Sequence, residues 1–216
     1  MKVDELVAGF RAVATASVAD SVDKVCGRRG YMDHELRPRI NENRIVGPAV
    51  TVQEGPTTEF LPPQHALELI DAAPAGSVVV IALDGDPNVA VWGGLMTAGS
   101  FARGLAGAVL DAGVRDIYEI RRDYDFPIIS RSVSPGTTLG RHRTLASNVR
   151  VVCGGIEVNP GDIIVGDLDG VVVVPRASAE AVLAMAQDID ARELEQAKLI
   201  VEAKSLKEGL AKYGRI

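Results

Sequence analysis

Two short clusters in this 216-residue chain carry residue types that can do chemistry. The first is Gly93-Gly94-Leu95-Met96, in "WGGLM", where paired glycines let a ligand come close to the backbone. The N–H groups of Gly94, Leu95 and Met96, at the start of an expected helix, can hold a carboxylate. The second is Arg115-Asp116, in "DAGVRD", with Glu119 one turn further on. A guanidinium pairs in a fork with a carboxylate or an enolate oxygen, and a carboxylate binds a hard cation such as Mg2+. Together these parts suit a 2-oxo acid on a divalent metal. Residue type and spacing alone also allow a plainer reading, in which Gly93-Gly94 is a tight turn, Arg115-Asp116 an exposed pair and Glu119 first-turn charge of a short helix.

Other chemistries find little support. Gly93, Gly94 and Gly99 do not form GxGxxG, and the chain contains neither GxxxxGK[ST] nor GxSxG. His34, His65 and His142 belong to no HExxH segment. Lys2 is terminal, while Lys24, Lys198, Lys204, Lys207 and Lys212 lie in amphipathic stretches rather than in an apolar pocket that would activate an amine. Net charge is -6 with Lys and Arg scattered, so the basic stripe of a nucleic-acid binder is missing; "RRG" at Arg28 and "RHR" at Arg141 read as solvated loops. Cys26 and Cys153 form no CxxC pair and are expected to be reduced and buried. The N-terminal "MKVDELVAGF" has the character of neither a signal nor a transit peptide, and no apolar run is long enough to span a bilayer, so a cytoplasmic location without membrane contact is expected.

The elements that must hold the two clusters follow from periodicity. Apolar positions Leu6, Val7, Phe10 and Val13 predict one or two helices over Asp4 to Val25, with Thr15 or Ser17 as a cap between them. "NRIVGPAVTVQ" predicts a strand broken at Gly47-Pro48. "PQHALELIDAAPAGSVVVIAL" gives a helix, a turn and a strand apolar on both faces. A helix from about Gly94 to Gly104, a second buried strand "LAGAVLDAG" and a short helix "RDIYEIRR" follow. The clusters thereby fall at the carboxyl ends of strands, where α/β sheets place their chemistry. Beyond "FPIISRSVSPG" the chain turns β-rich, with "NPGD" and "DLDG" separating short strands. From Ser178 to Leu210 it is helical, Ala181, Val182, Met185, Ile189, Leu194 and Ala197 suggesting the packed face. No low-complexity linker divides these regions, which predicts one α/β domain over 1–216.

"ADSVDKV", "GYM", "LRPRINENRIVGPAVTV", "VWGGLMTAGSFARGLAGAVLDAGVRD" and "VNPGDIIVGDLDGVVVVP", in that order, resemble the family containing 4-hydroxy-4-methyl-2-oxoglutarate aldolase and the regulator of ribonuclease activity A, some of whose members carry an older label as methyltransferases. The resemblance runs from about Ala12 to Glu195, and its most specific part is the spacing from Gly94 to Arg115-Asp116 and on to Glu119. It implies a swivelling β/β/α fold like that of phosphohistidine domains, in trimers or hexamers with the site between subunits. It implies that Arg115 binds the pyruvyl carbonyl and its enolate, that Asp116 anchors Mg2+ or Mn2+, and that Leu95 and Met96 N–H groups hold the substrate carboxylate. Where many aldolases of the family have Asp or Glu, this chain has Gly94; Glu119 is expected to replace it in part. A further acid is implied from a neighbouring subunit's C-terminal region, and Glu193 in "DARELEQ" matches it here. The function implied is a metal-dependent lyase releasing pyruvate from a 4-hydroxy-2-oxo diacid and decarboxylating oxaloacetate. The alternatives are a non-catalytic inhibitor of a ribonuclease and, with no glycine-rich cofactor loop to support it, a methyltransferase.

Overall fold

Apolar runs with no polar face can be satisfied only between layers, and two of them, "VVVIAL" and "GAVL", set the middle of this molecule. The computed structural model describes residues 1–211; Lys212 lies outside them. The chain begins with α1 (Val3–Arg11), α2 (Thr15–Cys26), β1 (Arg37–Pro38), β2 (Ile45–Pro56), α3 (Gln64–Ala72) and β3 (Val78–Leu83). It continues with β4 (Ala90–Trp92), α4 (Gly94–Ala102), β5 (Gly107–Val114), α5 (Ile117–Asp123), β6 (Ile128–Val133) and β7 (His142–Ser147). It closes with β8 (Val151–Cys153), β9 (Ile156–Val158), β10 (Ile163–Asp167), β11 (Gly170–Val174), α6 (Ala179–Ala203) and α7 (Leu206–Leu210).

A mixed sheet runs in the order β1-β6-β5-β3-β2-β10-β11, with β4 added on β5 and β7 on β2. Its centre, β2, β3, β5 and β6, is parallel, as the buried runs predict. Alternation then divides the core. Val79, Ile81, Ala108 and Leu110 face α3, α4 and α5, meeting Leu69, Ile70, Met96 and Ile120. Val78, Val80 and Val109 point the other way, onto Val151, Cys153 and Val158 of the β8–β9 hairpin. The result is the layered α/β arrangement, a small sheet, a large sheet and helices, with a long C-terminal helix.

Three local expectations are corrected. The strand does not break at Gly47-Pro48: β2 runs unbroken for 12 residues. Pro48 ends its ladder with β10 and Ala49 begins the one with β3, so the pair marks an exchange of partners. Gly47 is required there because a Cβ would lie 2.1 Å from the Gly76 carbonyl oxygen. The cap of α2 is neither Thr15 nor Ser17 but Ala14, whose N–H donates to Asp190 at 2.8 Å; Thr15 instead donates its hydroxyl to Asp167 at 2.6 Å. On α6 the buried stripe is Ala179, Val182, Leu183, Ala186 and Ile189, the first four of which pack with α1 and α2, while Ala181, Leu194 and Ala197 are exposed. The 25-residue helix outruns the surface it packs on. Cys153 is buried, as expected, and burial pushes its thiol pKa up; Cys26 is only half-buried.

Candidate active site

Strand β4 pairs in parallel with the end of β5, Ala90 opposite Gly113 and Trp92 opposite Val114. Both strands therefore end side by side, and the two clusters meet although 18 residues, 97–114, separate them. The Arg115 N–H carries the ladder one step further to the Trp92 carbonyl at 3.0 Å. Asp116 then turns the chain in the left-handed region, φ 61° and ψ 37°, and α5 begins. Aspartate is among the few side chains that enter this region at modest cost. The turn aims its carboxylate back at the start of α4, where Oδ2 accepts the Gly94 N–H at 2.8 Å. A negative group there also meets the positive end of the helix.

Close approach explains Gly93. Its backbone is extended and open to any residue, yet a Cβ would stand 2.6 Å from Asp116 Oδ2 and 3.1 Å from Arg115 Nε. Behind it, the Gly93 carbonyl accepts both the N–H and the hydroxyl of Thr97, at 3.1 and 3.0 Å, and the Trp92 indole N–H donates to the same hydroxyl at 2.8 Å. Trp92, buried and stacked on Phe126, holds the base of the corner. Gly93→Ala is expected to cost roughly 2 kcal/mol of stability, the scale of an overpacked contact. It should also displace Asp116, so that whatever cation the protein binds is held less tightly. Denaturant unfolding and a Mn2+ titration would check both, and normal stability with normal cation affinity would deny the close approach any importance.

The structure brings Gly93, Gly94, Leu95, Met96, Arg115 and Asp116 together on one cleft of about 310 Å3, closed on the far side by Pro62, Pro63, Thr137 and Thr138. One expectation changes here: the Gly94 N–H is spent on Asp116, leaving those of Leu95 and Met96 without a partner among the described residues. Such first-turn groups have no intrahelical acceptor. Arg115 Nε stands 3.6 Å from Asp116 Oδ2, both side chains about two-fifths exposed, so this pair adds little to stability and leaves the guanidinium available. Glu119 is exposed on the first turn of α5 and does not line the cleft; it shares with Arg115 and Asp116 an adjoining depression of about 630 Å3. Glu193 lies on α6, which packs on α1 and α2, and is not brought to the cleft within this chain. A larger hollow of about 510 Å3, bordered by Thr15, Tyr31 and Asp169, contains none of these residues and lacks such a convergence of N–H groups, guanidinium and carboxylate.

Among the described residues no three His, Cys, Asp or Glu groups stand close enough to share an ion. A protein-only cage is therefore not what this corner offers. A single carboxylate with one oxygen still unpartnered does fit Mg2+ or Mn2+ bound in the manner usual for Mg2+, through one or two carboxylates, water and substrate oxygens. The sequence did not reveal Trp92 and Thr97 as the supports, nor Thr137 and Thr138 as the opposite wall. Only the turn signals of "SPGTTLG" precede that wall, and what brings it in is the bridge from Thr137 to Ala90.

Comparison with known proteins agrees with this picture. The RraA-like family, described as Aldolase/RraA, matches residues 15–173. A protein of Halalkalibacterium halodurans named "Putative 4-hydroxy-4-methyl-2-oxoglutarate aldolase" is 32% identical over 196 residues, covering 88% of this chain and 87% of its own. An uncharacterized Pseudomonas syringae pv. tomato protein superposes with a TM-score of 0.86 at 30% identity, covering 97% of this chain and 94% of its own. Streptomyces coelicolor RraAS2, described as an unusual member of the RNase ES inhibitor RraA family, gives 0.80 at 27% identity, covering 88% of this chain and 94% of its own.

Proposed function

The chain belongs to the Aldolase/RraA family, and from that premise we propose that it is a divalent-metal-dependent lyase. It releases pyruvate from a 4-hydroxy-2-oxo diacid of the 4-hydroxy-4-methyl-2-oxoglutarate type and decarboxylates oxaloacetate, since both reactions leave the enolate of pyruvate. The observation that carries this reading is the corner itself: a left-handed Asp116 beside Arg115, set against the first turn of α4.

Asp116 would hold the Mg2+ or Mn2+, through the oxygen not bound to Gly94. The cation supplies Lewis acidity toward the substrate's C2 carbonyl. The Leu95 and Met96 N–H groups bind the C1 carboxylate at the positive end of α4. Arg115 donates to the C2 oxygen as charge gathers there, the interaction that counts most when charge develops in a dry, fixed site. As the C3–C4 bond breaks, its electron pair passes to C3 and the C2 oxygen, the C4 hydroxyl gives up its proton to a base and becomes a carbonyl, and the enolate then takes a proton at C3 to leave as pyruvate. Glu119, across Arg115, and Glu193 of a second copy of the chain are the acids we assign to that proton. The second assignment requires an oligomer with its site between subunits, which we take to be the trimer or hexamer that the family resemblance implies; exposed Leu194 next to Glu193, and exposed Val201 and Leu206 further along α6 and α7, support association through this region.

Pyruvate release from several 4-hydroxy-2-oxo diacids and from oxaloacetate, with Mg2+, Mn2+ or EDTA, tests the proposal. Turnover with metal and none with EDTA is expected, and absence of pyruvate with either metal would overturn it. In that event likeness to RraAS2 favours a second reading, a surface-acting inhibitor of an RNA-degrading enzyme. With a net charge of -6 such a protein would work on the enzyme rather than on RNA.

Gly94 decides the balance of the two reactions. Aldol cleavage needs the C4 hydroxyl deprotonated, whereas decarboxylation does not, so the missing acid at 94 is expected to leave the wild type better at oxaloacetate. Gly94 sits in ordinary helical backbone, and a Cβ would lie 3.5 Å from Asp116 Oδ2, normal contact distance. Gly94→Asp should therefore fold, with a Tm shift below roughly 4 °C, about what 1 kcal/mol produces in a chain of this length. Its ratio of aldol cleavage to decarboxylation should rise. An unchanged ratio in a well-folded variant would make Gly94 a backbone device only.

A further inference from the structure

The depression next to the cleft, lined by the acids Asp116 and Glu119, also holds two cations that no carboxylate among the described residues pairs with. Arg39 and Arg121 line it together with Arg115. Arg39 donates through Nε to Ser130 O at 3.0 Å and through Nη2 to Arg131 O at 2.7 Å and Glu35 O at 3.4 Å. Arg121 donates through Nε to Ile40 O and through Nη2 to Arg39 O, both at 2.8 Å. Every one of these acceptors is a neutral carbonyl, and neither guanidinium has a carboxylate within ion-pair distance among the described residues. In each, Nη1 is left without a partner among the described residues. Burial and the neighbouring Arg37 already work against the Arg39 charge, so a structural role alone gives poor reason for a second cation beside it.

We infer that Arg39 and Arg121 form a subsite for the distal carboxylate of a dicarboxylic 2-oxo acid whose other end occupies the cleft. The inference rests on the function proposed above and deepens it by naming the residues that read the second carboxylate of its diacid substrates. Arg115 lines both hollows, so a molecule holding its C1 carboxylate at Leu95 and Met96 and its C2 oxygen at Arg115 extends past Asp116 toward the two arginines. Their backbone anchors fix both planes in advance, so a carboxylate meets preset donors rather than flexible ones. Asp116 and Glu119 line the same depression, but Asp116 turns one oxygen to the Gly94 N–H, and neither acid is within ion-pair distance of Arg39 or Arg121.

Two non-cleavable probes of equal chain length separate the possibilities. 2-Oxoglutarate carries the distal carboxylate and 2-oxopentanoate lacks it; calorimetric titration of each into the intact protein with Mg2+ requires no turnover. The diacid is expected to bind about tenfold or more tightly, and Arg39→Gln and Arg121→Gln are each expected to remove most of that advantage while leaving the monoacid unchanged. Because both arginines also tie backbone carbonyls, each variant is checked by melting and by native mass; the comparison of probes on the wild type stands without them. Equal binding of the two probes overturns the subsite and leaves the lyase reading intact. A diacid preference abolished by the variants, without pyruvate from any substrate, upholds the subsite and overturns the lyase. Variants that change the oligomeric state but not the preference assign the arginines to a subunit contact and overturn the subsite, as does failure of both probes to bind.

Discussion

Arg115→Lys is expected to lower kcat/KM for pyruvate release by about a hundredfold or more, with the fold intact. Removal of one preorganised donor from a developing oxyanion costs about 3 kcal/mol, and that is the interaction lysine cannot reproduce. Lysine keeps the charge but offers a flexible point donor in place of a planar fork. At this corner the backbone and not the side chain does the structural work: the Arg115 N–H bonds to Trp92 and the left-handed turn belongs to Asp116. The side-chain ion pair with Asp116, at 3.6 Å and partly exposed, contributes little to lose. Stability should therefore stay within about 0.5 kcal/mol of the wild type, as for surface changes generally. Steady-state kinetics on oxaloacetate and on one hydroxy-diacid, alongside melting curves, checks both halves. Near-normal turnover would remove Arg115 from the reaction.

How much of this corner could be read from the sequence depends on which forces are local. The central strands were legible because "VVVIAL" and "GAVL" have no polar face, so only a two-sided burial suits them, and β3 and β5 lie where those runs predict. The position of both clusters after strands followed from the same pattern. What the sequence did not disclose is through-space geometry. The hydrogen bond from Gly94 to Asp116 joins residues 22 apart, and it changes the reading of Gly94 from a ligand-binding N–H to a capped one. The pairing of β4 onto β5 that creates it involves three residues, too few to show a period. Gly47-Pro48 misled for a related reason, since a strand changing partners carries the same residues as one that ends. Arg39 and Arg121 looked like ordinary surface charge, because what sets them apart is the neutral company their guanidiniums keep.

Glu54 was the least legible of all, and it supports the largest expected effect on stability. In "TVQEGP" a carboxylate reads as a solvent-facing residue of a strand. It is instead fully buried, and neither carboxyl oxygen has a hydrogen-bond partner among the described residues. Glu54 stands opposite Thr144 of β7, on the same face, and the Thr144 hydroxyl accepts the His65 N–H from the first turn of α3 at 3.1 Å. Helix α3 and β7 thus cover a side chain that burial holds protonated, with its pKa pushed up from 4.5 to about 7. A carboxyl with a raised folded-state pKa binds its proton in the native state while the unfolded chain has already lost it. Stability therefore falls as pH rises from the unfolded value to the folded one, and the loss is complete above it. The full difference is about 3 kcal/mol. Glu54→Gln cannot titrate. Urea unfolding between about pH 5 and pH 8 should show the wild type losing roughly 2–3 kcal/mol more than the variant across that interval. The slope is the readout, because the amide has its own unpaired donors and shifts absolute stability by an amount of its own. Pro62 and Pro63, just ahead of α3, wall the cleft, so amide exchange in α3 should also quicken with pH in the wild type and not in the variant. Parallel stability profiles for the two proteins would mean that Glu54 ionises in the fold as freely as outside it.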